Sequence, residues 1–175
     1  MAHRTAPSAL RELNQFQPEN SIMSDSQAPT PTIRNAGTAP TTPRKLFVNI
    51  PVNDLQRSIN FFEELGFAFN PHFTDATATC MLVGEDAYFM LLTRKRFSDF
   101  CNRPMGDPTR DTTALYSISV ESRAAVDEMV NKAIAAGGSH AVDPQDHGFM
   151  YGWSFHDVDG HHWEVFWMDP NAIPG

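Results

Sequence analysis

Cysteine is scarce in this chain: Cys80 and Cys101 are the only two in 175 residues. Two thiols cannot build a disulfide framework, and their scarcity points to a reducing, cytoplasmic setting. No apolar run approaches the roughly 20 residues needed to span a bilayer, and the first residues lack the apolar stretch of a secretory signal. Basic residues are also few, with 13 Lys and Arg against 21 Asp and Glu, for a formal charge of -8. A nucleic-acid binder needs a basic face to neutralise phosphate, so that class is disfavoured. What these absences leave is a soluble acidic protein without a nucleic-acid or membrane partner. The 41% hydrophobic content suits one real core, and the length suits one ordinary domain.

Aromatics are nearly missing from residues 1–44, which hold only Phe16 of the 19 in the chain but six of its thirteen prolines. A segment with so little to bury cannot offset the entropy of ordering, and it reads as a disordered extension. Within it only Ser8–Phe16 has the makings of a short helix. Met23, followed by Ser24 and Asp25, is an alternative translation start.

From residue 45 the pattern is dense and repeats once. Leu46–Val52 is a strand by its β-branched and aromatic content, and Asp54 stands where an N-cap belongs. Leu55, Ile59, Phe62 and Leu65 follow at helical spacing, and Gly66 ends the run. Three strand candidates come next: Phe67–Phe73, Ala78–Val83 and Ala87–Thr93. A connector, 94–112, leads to a second copy of the same order. Thr113–Val120 is a strand, and Ser122 caps a helix carrying Val126, Met129, Val130 and Ile134 before Gly137-Gly138. Ser139–Asp143, Met150–His156 and His161–Met168 complete it, with Asp157-Val-Asp-Gly160 as a hairpin turn. The order is βαβββ twice, in modules 45–93 and 113–170, and such a repeat points to two structural copies in one α+β domain.

The repeat, the Asn53-Asp54-Leu55…Phe61-Phe62…Leu65-Gly66-Phe67 signature and the closing Asp157-Val-Asp-Gly160-His161-His-Trp-Glu164 resemble the vicinal oxygen chelate superfamily. Glyoxalase I, extradiol dioxygenases and the bleomycin- and fosfomycin-resistance proteins belong to it. The resemblance covers residues 45 to 170. It implies paired βαβββ modules forming an open, U-shaped mixed β-barrel with flanking helices. It says little about function, because one scaffold hosts several chemistries.

In the superfamily's metalloenzymes the barrel encloses a divalent metal, bound by one side chain from the first and one from the last strand of each module. Carried onto this chain, those positions fall on Phe47, Leu91 (within about one residue), Leu115 and Glu164. Three of the four are apolar and cannot coordinate a hard or borderline cation. The expectation is therefore no metal and no other cofactor, the usual site being degenerate.

Strand alternation gives an independent view. Val48, Ile50 and Val52 share one face, opposed by Phe47 and Asn49. Tyr116, Ile118 and Val120 oppose Leu115, Ser117 and Ser119, while Trp163, Val165 and Trp167 oppose His162, Glu164, Phe166 and Met168. The first set of faces suits packing under helices. The second makes a largely apolar concavity with a few polar groups, which is how a small-molecule pocket looks. Phe47, Asn49, Leu91, Leu115, Ser117, His162, Glu164 and Phe166 are its candidate lining. Glu164 is the candidate catalytic group, as a general base or, when protonated, as a hydrogen-bond donor. The competing reading is a structural carboxylate held by Ser117, Ser119 or Asn49.

His162 projects from the same face as Glu164, about 7 Å away by strand rise. With His147 or His156 it offers a rearranged His/Glu site for one divalent metal. A histidine beside a turn is otherwise expected to face solvent. Asp146 and His147 lie in a loop that closes over the pocket or merely connects strands. Arg94-Lys95-Arg96 reads as a solvated edge, and Cys80 as a core residue rather than a nucleophile. Phe149, Tyr151, Trp153 and Phe155 read as core or dimer contact. Two functions follow. The first is a glyoxalase/bleomycin-resistance-like protein that binds a small, partly apolar ligand. The second is a lyase or dioxygenase with a rearranged metal site. A homodimer is expected in either case, because an open sheet with three tryptophans nearby leaves apolar surface to cover.

Overall fold

The computed structural model describes residues 42–172; the expectations for residues 1–41, the disordered extension and the Met23 start, lie outside the described residues. The elements run β1 (Leu46–Val52), α1 (Leu55–Glu64), β2 (Ala68–Asn70), β3 (Ala78–Leu82), β4 (Ala87–Thr93), α2 (Arg94–Ser98), β5 (Leu115–Ser119), α3 (Arg123–Ala135), β6 (Ser139–His140), β7 (Gln145–Asp146), β8 (Met150–His156) and β9 (His162–Met168). The first module is βαβββ, and the second keeps that order with the short β7 added between β6 and β8. One sheet runs β1-β4-β3-β2 and the other β5-β9-β8-β6, with β7 also paired to β8. In both, the first and last strands of the module pair in parallel and the remaining pairs are antiparallel. The sheets are mixed and do not close on one another. No described helix is long and apolar enough to cross a membrane.

The caps work as the sequence indicates. Asp54 accepts a hydrogen bond from Arg57 N at 3.0 Å, and Ser122 Oγ one from Ala125 N at 3.1 Å. Gly66 and Gly137 close the helices at φ of +95° and +102°. Several boundaries differ. Phe67–Phe73 holds only the short β2, because Pro71 starts a single 3-10 turn over Pro71–Phe73. Ser139–Asp143 breaks after His140, where residues 141–144 bulge away before β7. The basic run opening the connector is the first turn of α2, capped by Thr93.

Both modules bury the same kind of face in one core. Ile50, Val52, Phe89, Leu91 and Met81 of the first sheet meet Phe61, Phe62 and Leu65 of α1; Phe155, Trp163 and Val165 of the second meet Val126, Val130 and Ala133 of α3. Trp163 is fully buried and joins the halves. Its ring lies 5.2 Å from Phe62 and 4.7 Å from Phe89 across the module boundary, and 5.2 Å from Tyr116 on the neighbouring strand. Tyr151, Trp153 and Phe155 pack on this side too, so they are core and its border, whereas Phe149 is half-exposed.

The hairpin turn ties the modules covalently distant from one another. Asp159 is 3% exposed and reaches into module one, accepting from Asn53 N at 2.7 Å and from Ser58 Oγ at 2.6 Å. Asp157 holds its own turn through Asp159 N and His161 N, and accepts from Trp163 Nε1 at 3.0 Å. Burial pushes the Asp157 carboxyl above its usual range, against the pull of His161 and these donors. His161 Nε2 completes the tie at 2.8 Å from the carbonyl oxygen of Pro51. β1 is an edge strand, where the N–H that proline lacks is not missed.

Gly160 has φ +91°, and a Cβ there would stand 2.9 Å from the Pro108 carbonyl oxygen; at Gly66, φ +95°, a Cβ would meet nothing within 4 Å. Gly66→Ala is expected to cost about 1–2 kcal/mol of left-handed strain. Gly160→Ala adds a backbone clash worth about 1–3 kcal/mol more. Urea denaturation of the two variants checks this, and equal losses would contradict the described turn.

Candidate functional site

Because both sheets turn their Ile50 and Val165 faces into the shared core, the opposite faces point outward. On the first sheet the parallel register sets Phe47 beside Tyr88, Asn49 beside Met90 and Pro51 beside Leu92. Phe47 stacks on Tyr88 at 4.8 Å and is 50% exposed. On the second sheet Leu115 pairs with His162, Ser117 with Glu164 and Ser119 with Phe166, and His156 and Ser154 extend the first two rows on β8. Leu115 is 54% exposed. Seven of the eight candidate lining residues thus lie on the outward faces.

Leu91 is the correction. It is fully buried in the core beside its β1 partner Ile50. The outward residues of β4 are Tyr88, Met90 and Leu92, one step out of phase. The slip leaves the chemistry unchanged, since none of these is a ligand for a hard cation.

Glu164 faces outward and accepts a hydrogen bond from Ser117 Oγ, with Ser154 across from it on β8. Ser154 itself is engaged elsewhere, with its Oγ receiving Val142 N of the bulge at 3.0 Å. His162 stands beside His156, their rings 5.1 Å apart, and its Nε2 is buried without a hydrogen-bond partner. Burial, and then the neighbouring His156, hold His162 below the usual imidazole range, with Glu164 opposing. Its neighbour His161, expected to face solvent beside the turn, is 2% exposed and structural.

The hydrogen bonds and ring contacts of these residues stay within their own sheet. The first sheet supplies an open apolar half-site of Phe47, Asn49, Tyr88 and Met90. The second supplies a polar-centred half-site of Leu115, Ser117, His162, Glu164 and Phe166. Phe47 and Leu115 present no donor, and the one carboxylate is engaged by a hydroxyl. Among the described residues no group of three or more His, Cys, Asp and Glu side chains is placed to hold a metal ion. The residues present do not fit the divalent metal that the fold's metalloenzymes carry. His147 bonds Met150 through its backbone, at the end of β8 opposite to His156, in the segment that α3 restrains.

That restraint was not legible in the sequence. The Arg123 guanidinium grips both oxygens of Asp146, at 2.7 and 3.0 Å, and the Gly148 carbonyl at 2.8 Å. It also lies 5.2 Å from the Tyr151 ring and 5.1 Å from the Trp167 ring. The Asp146 carboxyl is held below its usual range by this arginine. The 146–148 loop is therefore anchored to α3.

Paired βαβββ modules with these half-sites define a protein of glyoxalase-type architecture. Residues 44–84 match the family described as Bleomycin resistance protein-like N-terminal. No curated protein matches the chain. Among solved structures, a hypothetical protein from S. aureus is 27% identical, with a TM-score of 0.61 over 71% of this chain and 94% of that one. A glyoxalase/bleomycin resistance protein/dioxygenase family enzyme from Burkholderia phytofirmans is 18% identical, with a TM-score of 0.58 over 70% and 96%. The fosfomycin resistance protein FosX from Listeria monocytogenes is 16% identical, with a TM-score of 0.54 over 74% and 97%. The chain thus has the fold of the glyoxalase/bleomycin resistance/dioxygenase proteins, and its first module is similar to the bleomycin-resistance-like N-terminal family.

The depressed His162 carries a pH signature. Below the unfolded value of 6.5 the unfolded chain takes up a proton that the folded chain refuses, so the stability due to this residue falls as pH drops through that value. His162→Gln is expected to flatten that decline in thermal melts between pH 7 and pH 5. An unchanged slope would show that the imidazole is freely solvated.

Proposed function

We propose that the protein binds a small, partly apolar molecule without a metal, between the half-site of one copy and the complementary half-site of a second copy in a homodimer. The observation that carries this reading is the composition of the outward faces. Phe47, Leu115 and, one residue from Leu91, Met90 stand where the resemblance implies metal donors, and on the second sheet Ser117 hydrogen-bonds the one carboxylate, Glu164. Aromatic and aliphatic side chains supply contact area for an apolar ligand, and a fixed carboxylate orients it by accepting an O–H or N–H. Half-exposed Phe47 and Leu115, on faces that open away from their own core, support closure by a partner chain. Glu164 is the residue assigned to ligand recognition, with Ser117 positioning it.

The second reading is a metal-dependent lyase or dioxygenase with a rearranged site. The unpartnered, buried Nε2 of His162 beside His156 favours it. Two imidazoles without a third donor bind a catalytic metal weakly, so this reading ranks second.

A thermal-shift screen of small partly apolar compounds, run beside light scattering, tests the proposal. The wild type is expected to be a dimer at micromolar concentration and to gain several degrees with a hit, and Leu115→Asp is expected to dissociate it and abolish the shift. Glu164→Gln is expected to keep the dimer and weaken the hit at least tenfold, the loss of roughly one charge-assisted hydrogen bond. A wild-type monomer, or a hit indifferent to both variants, would overturn it.

A further inference from the structure

A cavity whose lining does not include Glu164 lies where the connector folds back over β1 and β5. Its volume is about 200 Å³. Phe97 of α2 and Met105 of the connector give apolar walls, and Asn49, Thr113, Tyr116 and His161 bring polar groups to it. The connector is held against this junction by the same turn that ties the modules, since Gly160 packs on the Pro108 carbonyl.

The polar groups have unspent hydrogen-bonding capacity. Among the described residues, His161 Nδ1 is buried without a partner, while the exposed Asn49 and Thr113 and the half-buried Tyr116 make no side-chain hydrogen bond within the protein. The tautomer of His161 follows from its other nitrogen. Nε2 lies 2.8 Å from the carbonyl oxygen of Pro51, which can only accept, so Nε2 carries the proton. In the neutral ring Nδ1 is then a lone-pair acceptor. The half-buried Tyr116 ring lies 6.1 Å from the His161 ring, and burial, then Asp157, push its pKa up, so the hydroxyl can donate or accept.

Volume and wall chemistry limit the occupant. An apolar cavity of about 150 Å³ accommodates benzene, so the 200 Å³ of this open cleft matches one ring with a substituent. Apolar walls on one side and unpaired donors and acceptors on the other select an amphipathic ring. The formal charge of -8 disfavours an anion at any site lacking a local cation, and no Lys or Arg lines this cavity.

We propose that the junction cavity formed by Asn49, Phe97, Met105, Thr113, Tyr116 and His161 is a binding site for a neutral single-ring aromatic molecule bearing an O–H donor, the phenol class. The ring packs against Phe97 and Met105, while the hydroxyl enters the polar cluster that Tyr116 and His161 border. This site shares Asn49 with the first sheet's half-site but does not include Glu164.

Phenol, toluene and benzoate are the probes, titrated into the full chain with methyl-labelled methionine and threonine followed by NMR. Phenol is expected to shift the Met105 and Thr113 methyls saturably, and to bind at least tenfold more tightly than toluene or benzoate. Met105→Trp, which fills the cavity with a larger apolar side chain, is expected to abolish binding while the rest of the spectrum keeps its dispersion. Thr113→Val, a milder change at the mouth, is expected to leave the fold intact and weaken phenol several-fold. Glu164→Gln is expected to leave phenol binding unchanged. The proposal is overturned if toluene binds as well as phenol, if Thr113→Val and Met105→Trp both bind phenol like the wild type, or if phenol responds to Glu164→Gln instead. That last outcome would move the ligand to the outward face and leave the reading of that face standing.

Discussion

The structure depends on a four-residue turn whose two aspartates are buried and spent on different modules. Asp159 satisfies Asn53 N and Ser58 Oγ at the start of α1, while Asp157 satisfies its own turn and Trp163. Buried carboxylates are tolerated only where donors replace their water. These donors come from both βαβββ copies, so the turn reaches full hydrogen bonding only when the modules are docked. The ring of Trp163, anchored by Asp157, then fills the space between Phe62 and Phe89. One turn thereby sets the relation of the halves, the closeness of the connector to Gly160, and the register of the strand that delivers Glu164 four residues later.

Docking by the inner faces determines what the outer faces can do. Each sheet has one set of alternate residues committed to the common core, and the other set is free for recognition. On that set Phe47, Met90 and Leu115 are aromatic or aliphatic and offer no donor to a hard cation. Glu164 persists, and Ser117 takes up one of its oxygens. A carboxylate so engaged has its orientation restrained by a hydroxyl.

Much of the fold was legible because it rests on local signals. Asp54, Ser122 and the closing glycines announce helix ends by hydrogen-bonding capacity and backbone freedom. The repeat announces two modules, and alternation in β1, β5 and β9 separates inner from outer faces because polar residues mark one side. In β4 that mark is missing. Tyr88 to Leu92 is apolar throughout, so the phase cannot be read, and Leu91 was assigned to the wrong face. Ser58 and His161 show the opposite failure. Both are polar residues at positions whose partners lie about a hundred residues away, Asp159 for one and Pro51 for the other. No periodicity reports such a pairing. The Arg123 clamp on Asp146 and Gly148 and the packing of α2 against β1 are likewise tertiary, and both shape the surroundings of the candidate sites.

The proposed function has this chain bind its ligand without a divalent cation at Glu164. Its most direct test is metal analysis of the purified protein after equilibration with Ni, Zn, Mn and Fe(II), in the wild type and in Glu164→Ala. The account predicts far less than one equivalent of every metal and no difference between the two proteins. One equivalent bound by the wild type and lost on removing the Glu164 carboxylate would contradict it.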